Sequence, residues 1–441
     1  MTENSNRELR LLSALVAGKW HDDVVIEFNS QGIITAIFPA PKNQSVNLIP
    51  AVALPGMPNV HSHAFQRAFA GLSEFRTCEH DSFWTWRSLM FDFLLRFNPE
   101  DIYQIGRQVF GEMLAAGYTW VGEFHYLHND LGGRHYPKLE ELSDAIVRAA
   151  SDTGIGLCLI PVLYQRGGFR NEPLAEGQKR FLLDVDRFAE LIDVCCQLEG
   201  RQPNYRVGAA IHSLRAVEPK NGLRALELIL RGSRSSMPLH MHVAEQVPEV
   251  EECLRAHQRR SVEFLFDHYP VDRNWCLIHA THLADNELRL IADSQAVVGL
   301  CPSTEANLGD GFFRTKEFLD AGGRVSIGTD SNVCLDLREE LRLMETTQRL
   351  QRRERAVLGT TERSVGRRLY EDCAKGGAAA LGIAAGEIKV GNRADFTLID
   401  PQHPSIEGAT HDRLLDRLVF CNHGSPIFGT VVGGKVLQRP R

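Results

Sequence analysis

The sequence predicts an α/β fold: a (β/α)8 TIM-type barrel with a small β-sandwich domain built from both chain ends. Three observations lead there. Apolar, β-branched segments alternate with amphipathic helical stretches through the middle of the chain, while both ends are rich in short strands. Each apolar segment of the middle is also followed by a side chain able to ligate, donate or accept a proton. A barrel collects such residues, because its site is assembled from the C-terminal ends of its strands.

The first end carries Leu12–Val16, Val24–Phe28 and Ile33–Ile37, with Asn29-Ser30-Gln31-Gly32 as a hairpin-type turn. The last end carries Glu387–Val390, Ala394–Ile399 and Ile427–Val432, followed by the tight-turn pair Gly433-Gly434. Residues 1–53 and 387–441 are therefore expected to form one composite β-sandwich domain, and 54–386 the barrel. Its strands are expected at Leu54–Pro58, Tyr118–Val121, Leu157–Leu163, Val207–Ile211, Leu239–Val243, Trp275–Ile278, Ala296–Leu300 and Arg324–Ile327. Val250–Phe266 and Leu335–Leu350 read as two of the intervening helices.

Composition narrows the class. In 441 residues, 43% hydrophobic and 24% charged match a globular chain large enough for a substantial core. A net charge of −7 leaves no footprint for nucleic acid, and the densest basic run, Gln351–Arg355, includes Glu354. The polar N-terminus lacks the layout of a secretory signal, and no window nears the roughly 20 apolar residues that span a bilayer. Ten cysteines occur without a C-x-x-C pair, several in apolar runs, including Cys158 and Cys276. The expectation is a cytoplasmic protein with free thiols and no membrane partner.

Four strand ends carry chemistry. His61 and His63 stand at i and i+2 in Leu54–His63, so both imidazoles can reach one ion. His240 and His242 repeat the spacing, with Glu245 beyond the strand end, where a carboxylate can serve in acid–base work. His240 reads more readily as a core histidine, and Glu245 taken alone as a helix N-terminal carboxylate. His279 and His282 follow one apolar strand and Asp330 another; Asp330 could equally cap the next helix. A carboxylate beside a metal-activated water accepts its proton, and a histidine orients it. Three stretches bear on substrate: Gln66 beyond the first histidines, Arg87 after Phe83-Trp84-Thr85-Trp86, and His212 with Arg215 in His212-Ser213-Leu214-Arg215-Ala216-Val217. Two arginines at a pocket point to a doubly anionic substrate, since guanidinium binds carboxylate bidentately.

The ordered set, H-x-H after the first strand, histidines after the fifth and sixth and aspartate after the eighth, resembles the amidohydrolase superfamily over nearly the whole chain. That resemblance implies a distorted barrel, and Glu387–Phe396 looks like the superfamily's C-terminal return segment. His242-x-x-Glu245 is similar to the deaminase branch, and no lysine is placed as a metal-bridging carbamate after strand four, which favours a mononuclear site. The substrate stretches resemble the branch that deiminates N-formimino-L-glutamate. This implies one divalent ion, zinc, on His61, His63, His242 and Asp330. It further implies Gln66, Arg87, Tyr126, His212 and Arg215 as contacts to a dicarboxylate substrate, with Glu245, His279 and Asp330 catalytic. A homodimer is the family expectation. Two other readings remain at this point: deamination of a heterocycle such as guanine, with Phe83, Trp84 and Trp86 as stacking surfaces, and a non-catalytic metal-bound ligand-binding protein.

Overall fold

The computed structural model describes residues 7–41, 48–75, 79, 83–421 and 423–438. The first six residues, Cys78, Asp81, Ser82 and the side chain of Phe83 lie outside the described set.

Eight parallel strands make the barrel: Met57–Ser62, Tyr118–His125, Gly156–Leu163, Ala209–Ser213, Leu239–Val243, Trp275–His279, Val297–Leu300 and Arg324–Ile327. Nearly every residue in them is buried, as expected for a parallel sheet covered by helices outside and packed side chains inside. A short piece, Tyr205–Val207, also pairs with the third strand, and the two pieces meet at Gly208, whose N–H reaches Leu159 O at 2.8 Å.

The first barrel strand begins three residues later than the sequence pattern suggests. Leu54 and Pro55 end a strand of the other sheet, Leu48–Pro55, and the chain changes sheets at Gly56. Gly56 N–H donates to Asp395 O at 2.9 Å, and a Cβ there would lie 2.5 Å from Thr119 Oγ1. Only glycine lets the backbone pass so close. The eighth strand joins the first at a short seam: Thr329 and Asp330 N–H donate to His61 O at 3.0 and 2.9 Å, and His63 N–H to Asp330 O at 3.0 Å. Asn59 and Asn332 brace it, donating to Thr329 Oγ1 at 2.7 Å and His63 O at 3.0 Å.

The helices follow local signals. Pro99–Ala115 starts with Asn98 and Asp101 in a reciprocal capping box and Pro99 in its first turn, and Asp336 caps Leu337–Arg352. The stretch Val250–Phe266 is two helices, Val247–His257 and Ser261–His268, because Gln258 turns left-handed at φ 56° and ends the first. Among the described residues, no helix is long and apolar enough to cross a membrane, and the nine described cysteines are free.

Both chain ends build one seven-stranded sheet, in the order Lys435–Gln438, Ile427–Val432, Phe396–Ile399, Leu48–Pro55, Arg7–Val16, Lys19–Phe28, Ile34–Pro39. Every pairing is antiparallel except that of Arg7–Val16 with Leu48–Pro55. The Glu387–Val390 segment contributes only an isolated bridge, Ile388 to Val16. The sheet has its own core, including Leu11, Ile26, Phe28, Phe396 and Val431, distinct from that of the barrel. Gly434, at φ 77°, lies flat on Phe28, where a Cβ would sit 2.0 Å from the ring. Trp120 ties the two units together, donating from Nε1 to Asp395 Oδ2 at 2.9 Å.

Candidate metal centre and active site

The first strand delivers His61 and His63, the fifth His242, and the loop after the eighth Asp330. One ligand atom from each of these four buried residues lies within 4.8 Å of the other three. His61 Nε2 is 3.0 Å from His242 Nε2, and the Nε2 atoms of His61 and His63 are 3.4 and 3.2 Å from Asp330 Oδ1. His63 Nδ1 lies 3.0 Å from Phe124 O and His242 Nδ1 3.1 Å from His212 O. A carbonyl can only accept, so each Nδ1 carries a proton and each Nε2 faces the cluster. Burial also drives His61 down to about 3 and His242 well below the ordinary imidazole range, which keeps both rings neutral. Burial alone would raise Asp330, but the rings of His61 and His63 hold its carboxyl well below the usual range. Three imidazoles and a carboxylate, with separations compatible with bonds of roughly 2.0–2.2 Å to one centre, fit a divalent ion.

Beside this cluster stands a second group of buried titratable residues. His279 Nε2 is 3.7 Å from Asp330 Oδ2 and 3.7 Å from Glu245 Oε1, while its Nδ1 lies 3.2 Å from Glu305 Oε1. Against the downward pull of burial, Glu245, Glu305 and Asp330 raise His279 to about 10. Burial lifts Glu245 to about 7. Glu249 fixes the turn after the fifth strand, its two oxygens accepting from Ala244 and Glu245 N–H at 3.1 and 3.2 Å. Four non-glycine residues at these strand ends are left-handed: Ala244, His279, Ala280 and Asp330, at φ 51°, 67°, 50° and 45°. Such conformations cost on the order of 1–3 kcal/mol each and persist only where surrounding bonds hold them. Ala280 N–H to Val243 O at 3.0 Å and His282 N–H to Ala244 O at 3.1 Å do so here.

The cluster is the floor of a cavity of about 540 Å³, its open mouth included. Arg87, on the helix Phe83–Leu94, and Arg215, beyond the fourth strand, line the wall. Their guanidinium carbons lie 4.4 and 5.6 Å from the ring centre of the same residue, Trp84. Burial, with Arg215 next in weight, lowers Arg87 to about 10, the signature of cations gathered away from water. Gln66 and Tyr126 share a bond, Nε2 to OH at 2.9 Å, and Gln66 Oε1 is buried without a partner. The His212 ring packs 4.6 Å from Tyr164 and 4.9 Å from His242, kept neutral by burial and then by Arg215.

All eleven residues singled out by sequence for metal, catalysis or substrate thus lie in or directly beneath one cavity; His61 is the one that only underlies it. Other polar residues at or near strand ends find partners of their own. His240 is buried with Nε2 2.9 Å from Ala380 O, split from His242 by a register shift against the fourth strand. His282 Nε2 binds Asp310 O at 2.8 Å, and Ser303 N–H donates to Glu340 at 2.9 Å. Glu123 sits below the floor, its Oε1 accepting from Ala64 N–H at 2.7 Å. Glu249 and Glu305 escaped sequence reasoning. Both follow a strand end, but an acid in the first turn of a helix is an ordinary cap, and only its partner reveals it.

Known proteins resemble this chain in sequence and in fold. The amidohydrolase family model matches residues 52–437. Formimidoylglutamate deiminase of Pseudomonas aeruginosa is 43% identical over 97% of this chain and 93% of its own. A 5-methylthioadenosine/S-adenosylhomocysteine deaminase of Natronomonas pharaonis is 25% identical over 95% and 89%. Among solved structures, an amidohydrolase from Brucella melitensis superposes with TM-score 0.89 at 41% identity, covering 98% of this chain and 94% of its own. A triazine hydrolase from Arthrobacter aurescens, at 21% identity and TM-score 0.82 over 98% and 94%, shares the fold.

Proposed function

The chain belongs to the amidohydrolase family, and from that premise we propose that it hydrolyses N-formimino-L-glutamate to N-formyl-L-glutamate and ammonia, a step of histidine degradation. One observation carries the substrate assignment: two guanidiniums meet over Trp84 on the wall of the cavity whose floor is the His/Asp cluster. Two adjacent cations on a cavity wall suit a substrate with two carboxylates, each of which a guanidinium can bind bidentately. The same wall disfavours a heterocycle, because the Trp84 ring that could stack on one is occupied by guanidiniums. A protein that only binds its ligand would have no use for Glu245 and His279 beside Asp330.

His61, His63, His242 and Asp330 would hold one divalent ion, which we take to be zinc. When bound, such an ion supplies Lewis acidity and lowers the pKa of water toward neutrality. Asp330, through Oδ2, accepts the proton of the attacking water, and His279 orients that water. Glu245, lifted by burial to about 7, is near the pKa at which a carboxyl can both take up and give back a proton at neutral pH. It protonates the nitrogen that departs as ammonia. Arg87 and Arg215 bind the carboxylates, Gln66 and Tyr126 contact the glutamate portion, and His212 closes that side of the cavity. We assign the protein to the cytoplasm as a homodimer on the same premise, with no nucleic-acid or membrane partner.

Ammonia release should be measured with zinc-loaded protein on N-formimino-L-glutamate, N-formimino-L-aspartate, guanine and cytosine. Turnover of the glutamate compound in clear preference is expected. Turnover of a heterocycle alone would overturn the assignment of the two arginines while keeping the hydrolytic centre.

A further inference from the structure

The loops after the third and fourth barrel strands are locked together by backbone. Gln165 and Arg166 N–H both donate to Ala216 O at 3.0 Å. The Arg166 side chain then folds under the same turn: Nε donates to Arg215 O at 3.2 Å, and Nη2 to Leu214 O at 3.1 Å and Val217 O at 3.4 Å. Arg166 is 8% exposed, and the nearest acids, Glu218 and Glu172, act on it only through space. A buried guanidinium directed at carbonyls rather than at a carboxylate does not neutralise charge; it fixes peptide orientation. No backbone N–H among the described residues reaches those three carbonyls, so Arg166 alone pins the turn from that side. The pinned turn carries Arg215, whose guanidinium must stand over Trp84 beside Arg87.

We propose that Arg166 is a positioning residue for substrate recognition, holding the Leu214–Val217 backbone so that Arg215 meets a carboxylate already in place. The inference rests on the reading of Arg215 as a carboxylate contact. Preorganisation of this kind lowers the ordering cost of binding and leaves the proton-transfer groups untouched, so it acts on KM rather than kcat.

The test is a double-mutant cycle of Arg166→Met with Arg215→Met, with Arg166→Lys as the conservative variant. kcat and KM for N-formimino-L-glutamate and the thermal midpoint are measured on the zinc-loaded full chain. Arg166→Met should raise KM about tenfold with kcat within about twofold, and Arg166→Lys should fall between it and the parent. In the Arg215→Met background, Arg166→Met should add nothing further to KM. An equal KM penalty in both backgrounds, or a fall in kcat as large as the rise in KM, would mean a merely structural role and overturn the proposal. A normal KM for Arg166→Met, with KM raised by Arg215→Met, would overturn it while leaving the Arg215 contact standing. If Arg215→Met leaves KM unchanged, the contact and the proposal fall together. Should Arg166→Met not fold, Arg166→Lys carries the same comparison, since one ammonium cannot reach three carbonyls at once.

Discussion

At the residue scale, the site works by contrast between neighbours in one low-dielectric floor. His61 and His242 are driven toward neutrality by burial, Asp330 is held ionised by the rings around it, and Glu245 is lifted to about 7. Neutral imidazoles and an ionised carboxylate are ligand forms, whereas a carboxyl near neutrality is a proton carrier. Glu245 should therefore be separable from metal binding. Glu245→Gln preserves shape and removes the titrating oxygen, so kcat should fall by roughly 10²–10⁴-fold with zinc content and thermal midpoint close to the parent. A variant that keeps its turnover, or loses zinc along with it, would refute this division of labour. The aromatic cluster also has a sharper meaning here than in the sequence. Trp84 is the shared face on which Arg87 and Arg215 rest, while Trp86 lines the cavity.

At the scale of elements, strand ends are tied to neighbouring helices by buried carboxylates. Glu249 holds the turn after the fifth strand, and Glu305 holds His279 after the sixth. Glu340, on the helix Leu337–Arg352, accepts from the N–H and hydroxyl of Ser303 after the seventh. Burial pushes Glu340 to about 8 despite those donors. An unfolded glutamate titrates near pH ~4.3, so between about pH 5 and 8 the native state retains a proton that the unfolded chain has released. Stability contributed by this group is present at low pH and lost as pH rises toward 8, by an amount on the order of 2–4 kcal/mol. Thermal unfolding across that window should show Glu340→Gln losing less stability with pH than the parent. Parallel curves for the two proteins would count against the assignment.

For the whole molecule, the barrel seam and the His/Asp cluster are one structure. His61 and Asp330 supply both backbone bonds that join the first and eighth strands and two of the four clustered side chains. Mutual backbone support of this kind, with Asn59 and Asn332 behind it, implies that the floor is preformed before an ion arrives. Chelation should abolish ammonia release while circular dichroism stays native, and about one equivalent of zinc per chain should restore it. Restoration only at two equivalents would refute the mononuclear reading. The terminal sheet takes no part in this chemistry; it closes a core of its own, while Leu15, Val52, Ile399 and Val432 join the core of the barrel.

Strand–helix alternation, the β-rich ends and the His, Glu and Asp at strand ends were all legible in the amino-acid order. Each follows from local periodicity or from the rule that a barrel's strand ends converge. Boundaries were less legible. The shift of the first strand to Met57 depends on Gly56 passing Thr119, and the break at Gln258 on a left-handed residue with no glycine to announce it. His61 and His240 show the limit most plainly. Both begin an H-x-H, yet only the first belongs to the four-residue cluster, because His240 lies two residues deeper in its strand, where its Nε2 meets Ala380 O. Partnership is likewise invisible for Glu249, Glu305 and Arg166, whose roles exist only through groups brought near by folding. Sequence by itself determined which chemistry the chain can perform, since residue type and periodicity are local properties. Which copies of each residue perform it was decided by tertiary structure alone, since burial, tautomer and charge pairing are properties of neighbours.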